Sequence, residues 1–405
     1  MATPSFMKKM LDDNEVRRTV IKKALDGQRY GYMGDPTLHW CIGGYRRDHV
    51  NLYYGPSKSG KSTLAMKHCG QEQKAKGGAV IILDSENSLS DPMEVDDVGE
   101  YTTSAAKTRR RLMTAGIDPD NCLIRQSNDL SYAFKYAKEW EAALEADPKC
   151  ISAIMVDSWE GFQNSAALKN IIDGDADKAG NKFGGNAKTI NPALKFLVSL
   201  SQKYGVAVFS IQHVRVNFDE YGPDFILPGG QTFVHLHDSI LFMQGVDTKK
   251  GTLLADGTKD TSKIDTATKV GKLVRFKCDK SRATVEGKTG ETYMNFQDIK
   301  FIEPEQSLFT LATRLGVIVH PLNEKTGNTN NLWWQYPAEA VSPIKANGQA
   351  GFVKVLKDDA ELYKQIYQDC LDSANLTATA EGMASVGVAG ASGDIVGIDE
   401  VKNDQ

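Results

Sequence analysis

The sequence predicts an α/β fold with a mainly parallel central sheet flanked by helices, and three observations predict it. From about residue 50 to 245, short β-rich apolar runs alternate with longer helical patterns, which requires crossover connections and a sheet covered on both faces. The first of those runs, 50–54, leads directly into Gly55-Pro56-Ser57-Lys58-Ser59-Gly60-Lys61-Ser62, a full match to G-x-x-x-x-G-K-[ST], and a helical pattern follows from Lys61. About a hundred residues later a third apolar run, 151–156, ends in the carboxylate of Asp157.

Taken in order, residues 4–25 read as a helix that Thr3 can cap, with Pro4 in its first turn and Gly27 just past its end. Its apolar face either packs on its own domain or docks on a neighbouring subunit; the periodicity favours neither. Apolar runs at 50–54, 79–83, 151–156, 206–211 and 239–243 read as strands, with helices near 61, over 105–115, over 131–146 and over 192–204. The polar stretch 246–271, rich in Gly, Thr, Lys and Asp, suits an exposed hairpin or excursion. Segments 273–278 and 292–296 alternate as paired antiparallel strands do. Residues 307–370 mix two helices with the aromatic segment 332–336. From Leu371 to Gln405 there is no aromatic residue, and six acids face the single Lys402; that composition cannot bury a core and reads as a disordered acidic tail.

Composition removes several classes. In 405 residues, 48 Lys and Arg stand against 52 Asp and Glu, for a net charge of −4, which excludes a uniformly basic binder but allows a local cationic patch. Six cysteines lie scattered without a C-x-x-C pair, so neither a zinc site nor a disulfide framework is indicated. No signal-peptide core and no run of about 20 apolar residues is present, so an intracellular, soluble protein is expected.

The Gly55–Ser62 motif carries the chemistry. Its two glycines let backbone N–H groups wrap a phosphate chain, Lys61 reaches the β- and γ-phosphates, and the Ser62 hydroxyl holds Mg²⁺. Thr63 continues the same turn. Asp157 at a strand end suits the hydrated Mg²⁺. Glu86, in Leu83-Asp84-Ser85-Glu86 after the run 79–83, stands where a carboxylate can orient water against the γ-phosphate; a helix-capping acid is the plainer alternative.

These blocks, with Phe209-Ser210-Ile211-Gln212-His213, Gly229-Gly230, Asp279-Lys280-Ser281-Arg282 and the run 311–319, occur in the order and spacing of a known family. The chain resembles the RecA family of recombinases, most closely their phage UvsX type, over roughly residues 37–336. The resemblance implies a RecA-type P-loop ATPase core and an ATP- and Mg²⁺-dependent helical filament on single-stranded DNA. That filament would pair with homologous duplex DNA and exchange strands in recombination, repair and replication. It makes Glu86 the catalytic glutamate and Gln212 the switch that senses the γ-phosphate. Lys280 and Arg282 become cations that reach a neighbouring protomer's ATP; without the family they read as solvated surface charges.

It also puts two loops, 159–190 and 213–232, against DNA. The first offers Lys178, Lys182 and Lys188; the second offers Arg215, Phe218, Gly229 and Gly230. Cations and backbone amides grip phosphates while aromatic rings stack bases without reading sequence. Both loops also carry acids, Asp173, Asp175 and Asp177 in one and Asp219, Glu220 and Asp224 in the other.

The expected organisation is a protomer-docking segment over 1–36, the ATPase core over 37–305, a small C-terminal α/β subdomain over 306–370, and the tail over 371–405. Further partners would be a single-strand-binding protein and a loader, and the place of action the cytoplasm, of a bacterial host if phage-encoded. The tail, as a polyanion, would compete with DNA for cationic surface or serve only solubility. Rival readings are a hexameric helicase or DNA-packaging motor on the same core, and a nucleotide-gated structural filament. The short segment ahead of the core argues against the first, and the joint presence of Lys61, Glu86 and Asp157 against the second.

Overall fold

A computed structural model describes residues 29–89, 94–95, 101–102, 105–163, 185–217, 222, 224–247, 251–254, 269–322, 327–337 and 343–373. The helix expected over 4–25 and nearly all of the tail fall outside the described residues, as do Lys178, Lys182 and Phe218. The described chain divides into two compact units between Glu303 and Pro304.

In the first unit the elements run β1 (Tyr30–Gly31), α1 (Pro36–Ile42), β2 (Tyr45–Arg46), β3 (Val50–Gly55), α2 (Lys61–Lys76), β4 (Ala79–Asp84), β5 (Glu94–Val95) and β6 (Tyr101–Thr102). Then follow α3 (Ala105–Thr114), β7 (Cys122–Gln126), α4 (Leu130–Ala133), α5 (Ala137–Ala146), β8 (Ile151–Asp157), α6 (Gly185–Tyr204), β9 (Ala207–His213), β10 (Arg215–Val216) and β11 (Phe225–Ile226). The unit closes with α7 (Gly230–Leu236), β12 (Ser239–Gly245), β13 (Thr252–Leu254), β14 (Lys269–Lys280), β15 (Thr289–Asn295) and β16 (Lys300–Ile302).

One ten-stranded sheet organises them, in the order β16-β15-β14-β12-β3-β9-β8-β4-β7, with β13 added beside β14. From β12 to β7 every pairing is parallel, and from β12 to β16 every pairing is antiparallel. β3 and β8 are buried at every residue, as parallel strands covered on both faces must be. Helix α2 is buried on opposite sides of its axis, and Gly70 lets it approach α3: a Cβ there would lie 2.1 Å from the Ala115 carbonyl oxygen. Trp159, Phe162, Leu194, Leu197 and Phe233 belong to one fully buried cluster with β3, β8 and β9. This is the mixed α/β architecture expected of a RecA-type core.

Several sequence expectations need correction. The helix over 131–146 is two pieces, α4 and α5, the first capped by Asp129, whose carboxylate accepts from Ser131 N at 2.8 Å. The helix over 192–204 begins at Gly185, which places Lys188 on a helix and not in a loop. The stretch 246–271 is not wholly an exposed excursion: β13 joins the sheet, and Leu253 and Leu254 are buried. Edge strand β7 was not foreseen, because its residues are half-exposed and include Arg125 and Gln126.

The second unit holds α8 (Pro304–Arg314), the hairpin β17 (Trp333–Tyr336) and β18 (Ile344–Asn347), α9 (Gly348–Asp358) and α10 (Ala360–Asp372). Two helices were expected, and three lie among the described residues. Leu371, assigned to the tail by composition, is fully buried on α10.

Candidate nucleotide-binding site

The Gly55–Ser62 loop joins β3 to α2 at the carboxyl edge of the sheet, where ligands of open α/β sheets bind. Gly55 (φ 150°) and Gly60 (φ 90°) adopt conformations side chains avoid, and a Cβ on Gly55 would lie 1.9 Å from the Met243 carbonyl oxygen of β12. No side chain caps α2, which begins straight after Gly60, so its first N–H groups are left for a ligand. The loop opens into a cavity of about 610 Å³.

Lys61 is buried, and its Nζ donates to Gly55 O at 2.9 Å and Pro56 O at 2.7 Å. Burial pulls its pKa down to about 8, with Asp157 and Glu86 opposing the shift. Asp157, at the end of β8, is 3% exposed; burial raises its pKa to about 6, while a hydrogen bond from the Ser62 side chain works the other way.

Glu86 reaches the cavity because the chain after β4 is pinned. Asp84 is fully buried, and its two carboxylate oxygens accept from Ser88 N and Leu89 N, each at 3.0 Å. Ser85 Oγ donates to Ser158 O at 2.7 Å and accepts from Ser158 N at 3.0 Å. Glu86 Oε1 accepts from Ser158 Oγ at 2.5 Å and stands 3.0 Å from His213 Nε2. His213 beside it is the main reason the Glu86 carboxyl lies below the usual range.

The structure thus gathers Lys61, Ser62, Asp157 and Glu86 at one sheet edge. Gln212 is buried on β9 opposite Tyr54, adjacent to the loop, but its neighbour His213 lines the cavity. Arg111 and the pair Lys272–Asp247 also line it and had not been singled out. His213 lay within a quoted block; Arg111 and Lys272 sit in stretches whose charges look like any solvated face.

Lys280 and Arg282 lie elsewhere. Lys280 pairs with Ile240 near the start of β12, and Ser239 pairs with Asn51 of β3, so both cations sit near the amino edge of the sheet, opposite the cavity. Lys280 Nζ donates to the carbonyls of Val234 (3.0 Å), His235 (3.3 Å) and His237 (2.6 Å), and Arg282 Nε lies 3.0 Å from the buried Asp238 carboxylate.

Of the expected DNA-contacting residues, Arg215 is exposed on the β10–β11 hairpin, with Glu160 3.3 Å away. Gly229 (φ 122°) and Gly230 (φ 75°) form the entry to α7.

No family model matches the chain. Among curated proteins it is similar to the Protein RecA of Mesomycoplasma hyopneumoniae strain 7448, 23% identical over 332 residues that cover 82% of this chain and 81% of that protein. The Protein RecA of Streptococcus equi subsp. zooepidemicus strain MGCS10565 is 24% identical over 353 residues, 87% of this chain and 79% of that one. That of Mycoplasmopsis pulmonis is 25% identical over 335 residues, 82% and 81%.

Proposed function

We propose that this chain is a RecA-family recombinase: a DNA-dependent ATPase that assembles into a helical filament on single-stranded DNA, pairs it with homologous duplex and exchanges strands. The observation that carries the reading is the division of charge across one sheet. The phosphate loop and Glu86 occupy the carboxyl edge, and Lys280 and Arg282 lie near the amino edge, out of reach of the chain's own cavity. Cations so placed serve a nucleotide only when a second copy stacks head to tail, which makes hydrolysis depend on assembly.

In this reading the loop amides and Lys61 hold the phosphate chain. Glu86, held by Ser158 and His213, orients a water for in-line attack on the γ-phosphorus and takes up its proton as ADP leaves. Gln212, on the strand that feeds the β10–β11 hairpin, passes occupancy of the cavity to the DNA side. Lys280 and Arg282 stabilise charge on the neighbour's transferring phosphoryl group. Arg215, Gly229 and Gly230, with Lys178, Lys182, Lys188 and Phe218, would contact DNA.

The donor set fits Mg²⁺. Ser62 and Asp157 offer hard oxygen ligands side by side, and among the described residues no cluster of three His, Cys, Asp or Glu offers a protein-only cage, as suits an ion held by phosphates and water. When bound, it would offset negative charge on the phosphate chain.

The closer likeness to the phage UvsX type rests on the sequence blocks, and the same resemblance points to a single-strand-binding protein and a loader as partners and to the cytoplasm as the place of action. Negative-stain imaging with single-stranded DNA and a slowly hydrolysed ATP analogue tests the reading. Helical filaments support it. Closed rings would favour a helicase or packaging motor on the same core, and isolated monomers would overturn both.

A further inference from the structure

The rim of the cavity carries an ion pair, Lys272–Asp247, whose two side chains differ sharply in exposure. Lys272, on β14, lies opposite Thr252 of β13 and Met294 of β15, so its backbone is fixed on both sides. Its aliphatic stem runs over Gly245, where a Cβ would come 2.5 Å from Lys272 Cδ, and its side chain is only 16% exposed. Its Nζ lies 2.7 Å from Asp247 Oδ1, whereas the Asp247 side chain is 84% exposed. A rigid, half-buried ammonium is thus satisfied by a carboxylate that stands almost wholly in water.

Such a carboxylate is a weak holder, because solvent screening leaves an exposed ion pair worth little, and a polyanion entering the cavity competes for the ammonium on better terms. The cavity favours that exchange. Among the described residues that line it, Lys58, Lys61, Arg111 and Lys269 stand with Lys272 against Glu86 and Asp247. The strand that pairs beside Lys272, β13, comes from within the polar stretch 246–271.

We propose that Lys272 is a phosphate-binding residue of the nucleotide cavity, supplied by the chain itself, and that Asp247 is its placeholder, released when the phosphate chain of a nucleoside di- or triphosphate arrives. The inference rests on the nucleotide reading above. It gives each protomer a cation in the cavity that the phosphate loop also lines, independent of any cation a neighbour brings.

The test is equilibrium binding of fluorescent ATP and ADP analogues, in Mg²⁺, to the full chain and three variants. Lys272→Gln weakens binding about tenfold, as loss of one charge-assisted contact does. Lys272→Arg keeps the charge and stays within about threefold of the parent. Asp247→Asn removes the competitor and tightens binding about two- to fivefold. Opposite signs for the two partners are the signature, since a merely structural pair gives Lys272→Gln and Asp247→Asn effects of the same sign. Thermal melting without nucleotide shows whether each variant is folded, and the arginine variant carries the test if the glutamine variant is not: an affinity more than about tenfold below the parent overturns the proposal. Same-sign or null effects in a parent that binds nucleotide overturn this inference alone. A parent that binds neither nucleotide overturns the nucleotide reading and this inference with it.

Discussion

Lys280 holds the carbonyl of His237 at 2.6 Å, and with Val234 and His235 it closes the carboxyl end of α7, the helix that follows the β10–β11 hairpin. A lysine there satisfies carbonyls the helix cannot. Arg282 differs: it is 62% exposed, and its partner Asp238 is already bound by Arg46 at 3.1 Å. Lys280→Ala should therefore destabilise the fold by about 1–3 kcal/mol, and Arg282→Ala by less than about 1 kcal/mol, read by urea denaturation. Both should lose most DNA-stimulated ATP hydrolysis. Full activity in folded Arg282→Ala would remove the trans role.

Asp157 sets function against stability. Its pKa, raised from 3.8 to about 6, means the folded protein binds more protons than the unfolded chain between those values, so ligand-free stability falls as pH rises through that window. Asp157→Asn abolishes the penalty and should melt higher than the parent at pH 7, with the difference vanishing near pH 4. The same variant should lose Mg²⁺-dependent nucleotide affinity. Equal melting curves at pH 7 would show that the buried charge is otherwise compensated.

Lys61 makes nucleotide binding sensitive to alkali. Its pKa falls from 10.5 to about 8, so ligand-free stability rises with pH between those values, as the unfolded chain holds the extra proton. A phosphate chain needs the charged form, so affinity should drop by up to about tenfold per pH unit above 8, with proton uptake on binding. Titration calorimetry in two buffers of different ionisation enthalpy measures that uptake. Lys61→Ala should abolish both binding and filaments.

Glu86→Gln keeps the size of the side chain and removes the carboxylate that positions water. Nucleotide and DNA binding should persist while the hydrolysis rate falls about 10²- to 10⁴-fold, lengthening filament lifetime. Single-turnover hydrolysis beside a binding isotherm separates the two. Loss of ATP binding would mark Glu86 as structural.

Arg215→Ala probes the DNA side. A phosphate contact should disappear for every sequence alike, and the slope of log affinity against log salt should shrink by about 0.7 for single strands. Fluorescence anisotropy over a salt series checks it. An unchanged slope would leave Arg215 to its neighbour Glu160.

The parallel half of the sheet was legible because β3, β8 and β9 are buried along nearly their whole length and so appear as unbroken apolar runs. The phosphate loop was legible because its glycines answer local steric demands at Gly55 and Gly60. β7 was hidden by its place at the sheet edge, where Leu123 is exposed and Arg125 lies over the rings of Tyr132 and Tyr136. Lys272 was hidden for another reason. What distinguishes it is Gly245 beneath its stem and Asp247 in water, and neither contact leaves a period in the chain.

β14 is a single strand of 12 residues, roughly 37 Å from end to end, and it is hydrogen-bonded to β12 on one side and to β15 on the other. Lys269 at one tip borders the nucleotide cavity, and Lys280 at the other grips α7. Paired through its middle on both sides, with pairing irregularities near each tip, it spans from the carboxyl edge of the sheet to the amino edge. The cavity rim and the cap of α7 are therefore two ends of one hydrogen-bonded strand, joined by a single covalent run of backbone.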